Sequence, residues 1–276
     1  MPGAPLYYRT DGVYRGGAPY WHEVETLPWA RHLLAQWPAI RDEYERNVRA
    51  GRDRVIEVFN PAGPSVPGWR SVNFQTYLWR YHRARQEYPV TVGVLDEIPG
   101  LLSAFINVLE PHSSVPPHQG DSNAIMRVHL GLHVPAGDCA LRVGPETRQC
   151  GNGTLMAFCD AHDHTSWNKT GAQRVVLVLD VVDPAYARRK HWICANVLSA
   201  TAVVWLEARL ARFRRTAAAE LHKSGKTLPL PQPIRTALRR ALGIPLFLWL
   251  PLQRRLGKRP FTTSPRPSPA ADSPSS

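Results

Sequence analysis

Between residues 98 and 184 the chain reads as short, β-branched-rich apolar runs divided by turn signals. The runs are Ala104–Leu109, Ile125–Val134, Cys139–Val143, Thr154–Cys159 and Arg174–Val182, with turns at Pro135-Ala136-Gly137-Asp138 and Gly151-Asn152-Gly153. Several short strands at such spacing predict a sandwich or jelly roll. Upstream the period changes. Trp29, Leu33, Trp37 and Ile40 recur at three- and four-residue intervals, so residues 21–50 are predicted helical, with Glu43 to Arg49 on the charged outer face. Residues 51–80, punctuated by Pro61, Pro64 and Pro67, read as loop, and Thr91–Ile98 as a short helix halted at Pro99-Gly100.

After Pro184 the pattern changes again. Trp192–Leu206 carries no formal charge and lies between Arg188-Arg189-Lys190 and the basic stretch Arg209 to Arg215. Gly243–Leu252 is a second apolar run, broken by Pro245 and Pro251. Both fall short of the roughly 18–20 apolar residues of a simple membrane span. Residues 262–276, rich in Pro, Ser and Ala, are expected to be disordered. The expected organisation is a domain over 21–184 with its strand core at about 98–184, a basic helical extension over 185–261, and a tail over 262–276.

Charge sharpens that division. The net charge of +12 comes from two unequal parts: residues 1–184 hold 17 Lys+Arg against 19 Asp+Glu, and residues 185–276 hold 17 against only Glu207, Glu220 and Asp272. The excess basicity therefore lies outside the strand core. With its apolar runs, the extension is expected to rest on an anionic membrane surface; the competing expectation is an ordinary basic helical extension. Nucleic-acid binding is not expected, because the tail lacks a recognisable motif and aromatic interleaving. Cys139, Cys150, Cys159 and Cys194 lack CxxC spacing, which disfavours zinc ribbons and thioredoxin chemistry and fits free thiols in a reducing cytoplasm. The start shows no secretory pattern, so a cytoplasmic location is expected, peripheral on the inner membrane face.

Candidate chemistry sits in the strand region. Alternation places Met126, Val128, Leu130, Leu132 and Val134 on one face of their strand and Arg127, His129, Gly131 and His133 on the other, facing one cavity. Arg174 opens the apolar run Val175–Leu179 and needs a partner if buried. Asp180, Asp160 or a bound dicarboxylate would serve, the last held bidentately. His118 and His164 lie just beyond strand-like segments and can act as a metal pair. The position two after His118, where mononuclear iron sites often place a carboxylate, is Gly120, with Asp121 one step further.

Taken in order, Pro117-His118-Gln119-Gly120, Met126-Arg127-Val128-His129-Leu130-Gly131-Leu132-His133-Val134-Pro135, Phe158-Cys159-Asp160, His164, Trp167-Asn168 and Arg174 to Asp180 resemble the aspartyl/asparaginyl β-hydroxylase family. The resemblance is densest over about 98–184. It implies a double-stranded β-helix (a cupin-like jelly roll), mainly β with N-terminal helices. It also implies an Fe(II)- and 2-oxoglutarate-dependent dioxygenase that consumes O2. By position, His118 and His164 match iron ligands and Gly120 the expected glycine. Arg174 matches the residue that pairs with the far carboxylate of 2-oxoglutarate, and His129 and Arg127 match residues near its chelating end. Asn107 stands where some relatives carry a cosubstrate-contacting serine. Further departures are Cys159 for an aspartate, Cys150 for a tryptophan and His112 for a glycine.

The implied substrate is first a peptidyl aspartate or asparagine, hydroxylated at its β-carbon. The alternative is a lipid acyl chain, because Trp37-Pro38-Ala39-Ile40-Arg41-Asp42-Glu43 is similar to a segment of bacterial lipid A hydroxylases; those relatives, however, tend to carry an acidic residue at the place of Gly120. A non-catalytic β-helix binding module is a third reading.

Overall fold

A computed structural model describes residues 5–53, 55–58, 65–217 and 230–256; the expected tail at 262–276 lies outside them. In chain order the elements are β1 (Trp21–His22), α1 (Pro28–Arg49), β2 (Ile56–Glu57), β3 (Trp69–Thr76), β4 (Trp79–Arg80), α2 (His82–Glu87) and α3 (Pro89–Asp96). Then follow β5 (Leu101–Leu109), β6 (Ser113–Gln119), β7 (Ile125–His133), β8 (Cys139–Val143), β9 (Glu146–Gln149), β10 (Leu155–Cys159), β11 (Asp163–Asn168) and β12 (Arg174–Val182). Helices α4 (Lys190–Ala217) and α5 (Gln232–Leu256) follow.

The strands form two antiparallel sheets. The larger runs β1-β10-β7-β12-β5-β3-β2, with β4 added to β3, and the smaller runs β6-β11-β8-β9. From β5 to β12 the chain passes repeatedly between the sheets, which is the jelly-roll connectivity of a double-stranded β-helix. The fold is the predicted cupin-like core.

The main core lies outside this sandwich. Val128, Leu130, Val175, Leu177, Leu179 and Ile106 point from the larger sheet to one cluster with Leu33 and Ile40 of α1 and Leu95 of α3. The opposite face of the same strands turns toward the smaller sheet and holds the polar residues. Glu43 of α1 accepts hydrogen bonds from Val90 N, Thr91 N and Thr91 Oγ1 at 2.6–2.8 Å, satisfying orphan donors at the start of α3. The conspicuous Trp37–Glu43 segment thus has a structural duty.

Three departures from the sequence reading have physical causes. Residues 69–76 are not loop but strand β3, paired with β5; Val72 and Phe74 are buried in the core and alternate with polar Ser71 and Asn73. The prolines at 61–67 masked that period-two signal. Strand β6 contains Pro116 and Pro117, tolerated because it is an edge of the smaller sheet. Strand β11 buries His164, Ser166 and Asn168, so its inward face has no apolar signature.

The extension is an antiparallel helical pair seated on the barrel end. Ile193, Val197 and Leu250 join Tyr8, Leu102, Ile125 and Val182 in a second core. Arg239 is buried, donating to Thr10 Oγ1 at 2.9 Å, Asn196 Oδ1 at 2.6 Å and Asp11 Oδ1 at 3.1 Å. Segment Pro184–Leu210 is long and apolar enough to cross a membrane by length and composition, although 44% of its apolar window is buried in the protein. The expectation that this run falls short counted only its uncharged residues.

Candidate active site

His118 on β6 and His164 on β11 are direct cross-strand partners, with ring centroids 4.3 Å apart. Both therefore lie within strands, not beyond them. Each ring is fixed by its own chain: His118 Nδ1 lies 2.8 Å from Pro116 O and His164 Nδ1 lies 2.8 Å from His162 O. A carbonyl only accepts, so each Nδ1 carries the proton and each Nε2 keeps its lone pair. This is how metal-binding imidazoles are oriented by their outer partners. Burial lowers the pKa of His118, and burial with the neighbouring His118 and Arg127 charges takes His164 well below its ordinary value. Both are neutral at pH 7, the form a metal requires.

Facing them across the cleft are His129 of β7, Arg174 of β12, Asn107 of β5 and Trp69 of β3, with Phe105, Val115, Leu141, Val176 and Val178 as apolar walls. The side chains leave about 40 Å³ of water-accessible space. Several buried polar atoms here lack a hydrogen-bond partner: Arg174 Nε and Nη2, Asn107 Oδ1, His129 Nδ1 and Trp69 Nε1. Such groups are costly unless a ligand satisfies them. Arg174 is 3% exposed and its unmet donors match a carboxylate. Burial first, then Arg174 and Arg127, hold His129 well below its ordinary pKa, so it is a neutral donor or acceptor.

Asp160 and Asp180, the sequence candidates for pairing with Arg174, pair instead with Arg127. Its Nη1 lies 2.8 Å from Asp160 Oδ1, and its Nε and Nη2 lie 2.7 and 3.1 Å from the Asp180 oxygens. Strand register explains the choice, because Arg127 stands opposite Asp180 across the β7–β12 ladder while Arg174 lies at the far end of β12. Arg127 thus lines the cleft with its charge already matched. His133, expected to share this cavity, is exposed at the strand end beyond a bulge at Val175/Val176.

Gly120 has a steric cause. A Cβ there would come within 2.1 Å of Asp160 Oδ2, an oxygen that also accepts from Asp121 N at 2.6 Å. Asp160 is fully buried, and burial pushes its carboxyl up to about 7 against the pull of Arg127. Asp121 is turned away to Arg9 at 3.2 Å and to Tyr77 Oη. Among the described residues no group of three His, Cys, Asp or Glu side chains that could hold a metal ion forms.

The sequence departures also find their places. His112 has φ 55°, the left-handed region that a glycine occupies without strain. The neighbouring Cys139 thiol and the Arg174 charge lower the Cys150 pKa to about 7. That substitution therefore lies near the arginine proposed for the cosubstrate. Sequence reasoning missed the carbonyls of Pro116 and His162, which have no side-chain signature, and the Arg9–Asp121 pair. It also missed Trp69, whose strand was read as loop.

Fold and site together define a jelly-roll protein with a two-histidine centre facing an unmatched buried arginine. The chain belongs to the aspartyl/asparaginyl β-hydroxylase family, whose sequence model matches residues 34–184, and it is an enzyme of the hydroxylase type. It is 30% identical over 191 residues to the ornithine lipid ester-linked acyl 2-hydroxylase of Rhizobium tropici, covering 66% of this chain and 67% of that one. It is 27% identical over 187 residues to the human aspartyl/asparaginyl β-hydroxylase, covering 64% of this chain but 24% of that much longer protein. Among solved structures, a cupin-superfamily sugar phosphate isomerase from Silicibacter pomeroyi aligns at 14% identity and a TM-score of 0.32, over 48% of this chain and 74% of that one. A likeness of that size adds nothing to what the strand order shows.

Proposed function

We propose that the protein is an Fe(II)- and 2-oxoglutarate-dependent dioxygenase that hydroxylates an acyl chain of a membrane lipid. The carrying observation is the pair of neutral, Nδ1-pinned histidines set across a cleft from a buried arginine with unmet donors. When bound, Fe(II) with 2-oxoglutarate and O2 supplies the oxidising chemistry, 2-oxoglutarate leaving as succinate and carbon dioxide. His118 and His164 would hold the metal through Nε2. Arg174 would pair with the far carboxylate of 2-oxoglutarate through its unmet donors. His129 and Asn107 offer neutral polar contacts along the cosubstrate. Phe105, Val115, Leu141, Val176 and Val178 keep water from the reacting carbon. Arg127, matched by Asp160 and Asp180, positions β7 rather than binding an anion.

The lipid reading draws on the relative named an acyl 2-hydroxylase, which this chain matches over two thirds of both lengths. It also draws on the basic, apolar-faced helical pair, which fits peripheral attachment to the inner face of the cytoplasmic membrane. A peptidyl aspartate or asparagine is the second reading, supported by the human relative. Gly120 no longer favours it, since Asp160 alone accounts for that glycine.

The test uses the full chain with Fe(II), ascorbate and 2-oxoglutarate, supplied in turn with membrane lipids and with Asp- or Asn-containing peptides. Succinate formation and a mass gain of one oxygen on lipid are expected. Oxygen gained only on peptide would transfer the reading to the second substrate, and bound iron without succinate under any condition would leave a binding module. His164→Ala is expected to abolish iron binding; retained iron refutes the ligand assignment.

A further inference from the structure

At the base of the helical pair, Arg188, Arg189, His191, Trp192 and Phe247 line a concavity of about 400 Å³. The site is separate from the catalytic cleft and shares no residue with it. Arg188 and Arg189 are exposed, and among the described residues neither has a carboxylate partner. Elsewhere on the pair, Arg235 lies 3.0 Å from Glu207 and Arg239 lies 3.1 Å from Asp11. Those arginines hold the fold together, whereas the charge at the concavity is unspent.

The walls tell what surrounds the ligand. Trp192 and Phe247 meet edge to face at 5.6 Å, and Trp249 lies against Trp79 at 5.5 Å. Beside them Leu242, Ile244 and Leu248 of α5 stand exposed at 42%, 55% and 60%. Two arginines and an aromatic pair line one concavity beside exposed Ile244 and Leu248 of α5, which offers a phosphate contact next to a surface for hydrocarbon. Charge complementarity selects an anionic occupant, and the adjoining apolar face selects one that carries hydrocarbon.

We infer that this concavity binds the phosphate headgroup of an anionic membrane phospholipid, fixing how the enzyme sits on the bilayer. The inference rests on the membrane part of the function proposed above and not on its chemistry. Full-length protein is sedimented with vesicles of phosphatidylcholine alone and with phosphatidylglycerol added. Partition is expected to need phosphatidylglycerol. The double variant Arg188→Gln/Arg189→Gln should weaken it roughly 25-fold, the effect of two interfacial arginines. A control of equal charge change on helix α1, Arg31→Gln/Arg49→Gln, should leave partition near wild type. Equal loss in both variants would show diffuse attraction and overturn the site. So would binding of inorganic phosphate at the concavity without vesicle binding. Phe247→Ala, an exposed change, gives a second reading: unchanged partition would count against the aromatic rim. Succinate formed by wild-type protein in the same preparations reports separately on the hydroxylase reading.

Discussion

The two faces of the larger sheet are built from the same strands and do opposite work. Along β12, Val175, Leu177, Leu179 and Val181 enter the core under α1 and α3, while Arg174, Val176, Val178 and Asp180 face the cleft. All nine residues of this strand are buried, so exposure does not distinguish the faces. Polarity and partnering do. The helix face is saturated with apolar contacts. The cleft face carries one arginine matched twice and another with two donors unmet. Stability is concentrated on the first face, and the second holds unfavourable groups in place for a ligand.

Deleting volume on the helix face gives the largest expected effect. Leu177→Ala should cost about 2–5 kcal/mol, since the side chain is fully buried and its neighbours cannot all collapse into the space. Chemical denaturation measures this, with the 2-oxoglutarate KM expected to stay put. A change in KM matching the loss in stability would show that the two faces are coupled. Arg174→Ala is the converse. Removing a buried guanidinium with unmet donors should change stability by less than about 1 kcal/mol, yet raise the KM for 2-oxoglutarate about 10- to 100-fold, the worth of a charged hydrogen-bond pair. Iron binding, read without cosubstrate, should persist. A variant destabilised as much as Leu177→Ala would mean that Arg174 serves the fold.

The same contrast decides what was legible in the sequence. Strands β5, β7, β8, β10 and β12 announce themselves because they carry apolar residues for the helix-side core or the sandwich interior. Strands β6 and β11, which bear the two histidines, do not, because the inward residues of β11 are polar and β6 holds two prolines. The ligand residues were recognisable through their order along the chain, but their placement opposite one another was not. Partner choice was not legible either: Asp160 and Asp180 are equally available to either arginine on paper, and only ladder register assigns them to Arg127. The residues that seemed to speak of substrate, Gly120 and Glu43, turn out to answer to a buried carboxylate and a helix start. Substrate identity is carried by the cleft walls and the appended helices, where no short motif is expected.

Gly120 supplies the smallest and most local test of the comparison. It sits on the cleft side, where the polar network, not apolar packing, sets the tolerance. Asp160 cannot easily yield to a new methyl group, because Asp121 N and Arg127 hold its carboxylate and no solvent reaches it. Gly120→Ala should therefore cost about 1–3 kcal/mol, as overpacking does in a close-packed interior. Gly120→Asp should fail to create a third iron ligand, since its Cβ would already overlap Asp160. Thermal denaturation of the first variant and metal titration of the second check this. If Gly120→Ala is as stable as wild type, the Asp160–Arg127 network is loose, and the cleft face is less rigid than its buried charges imply.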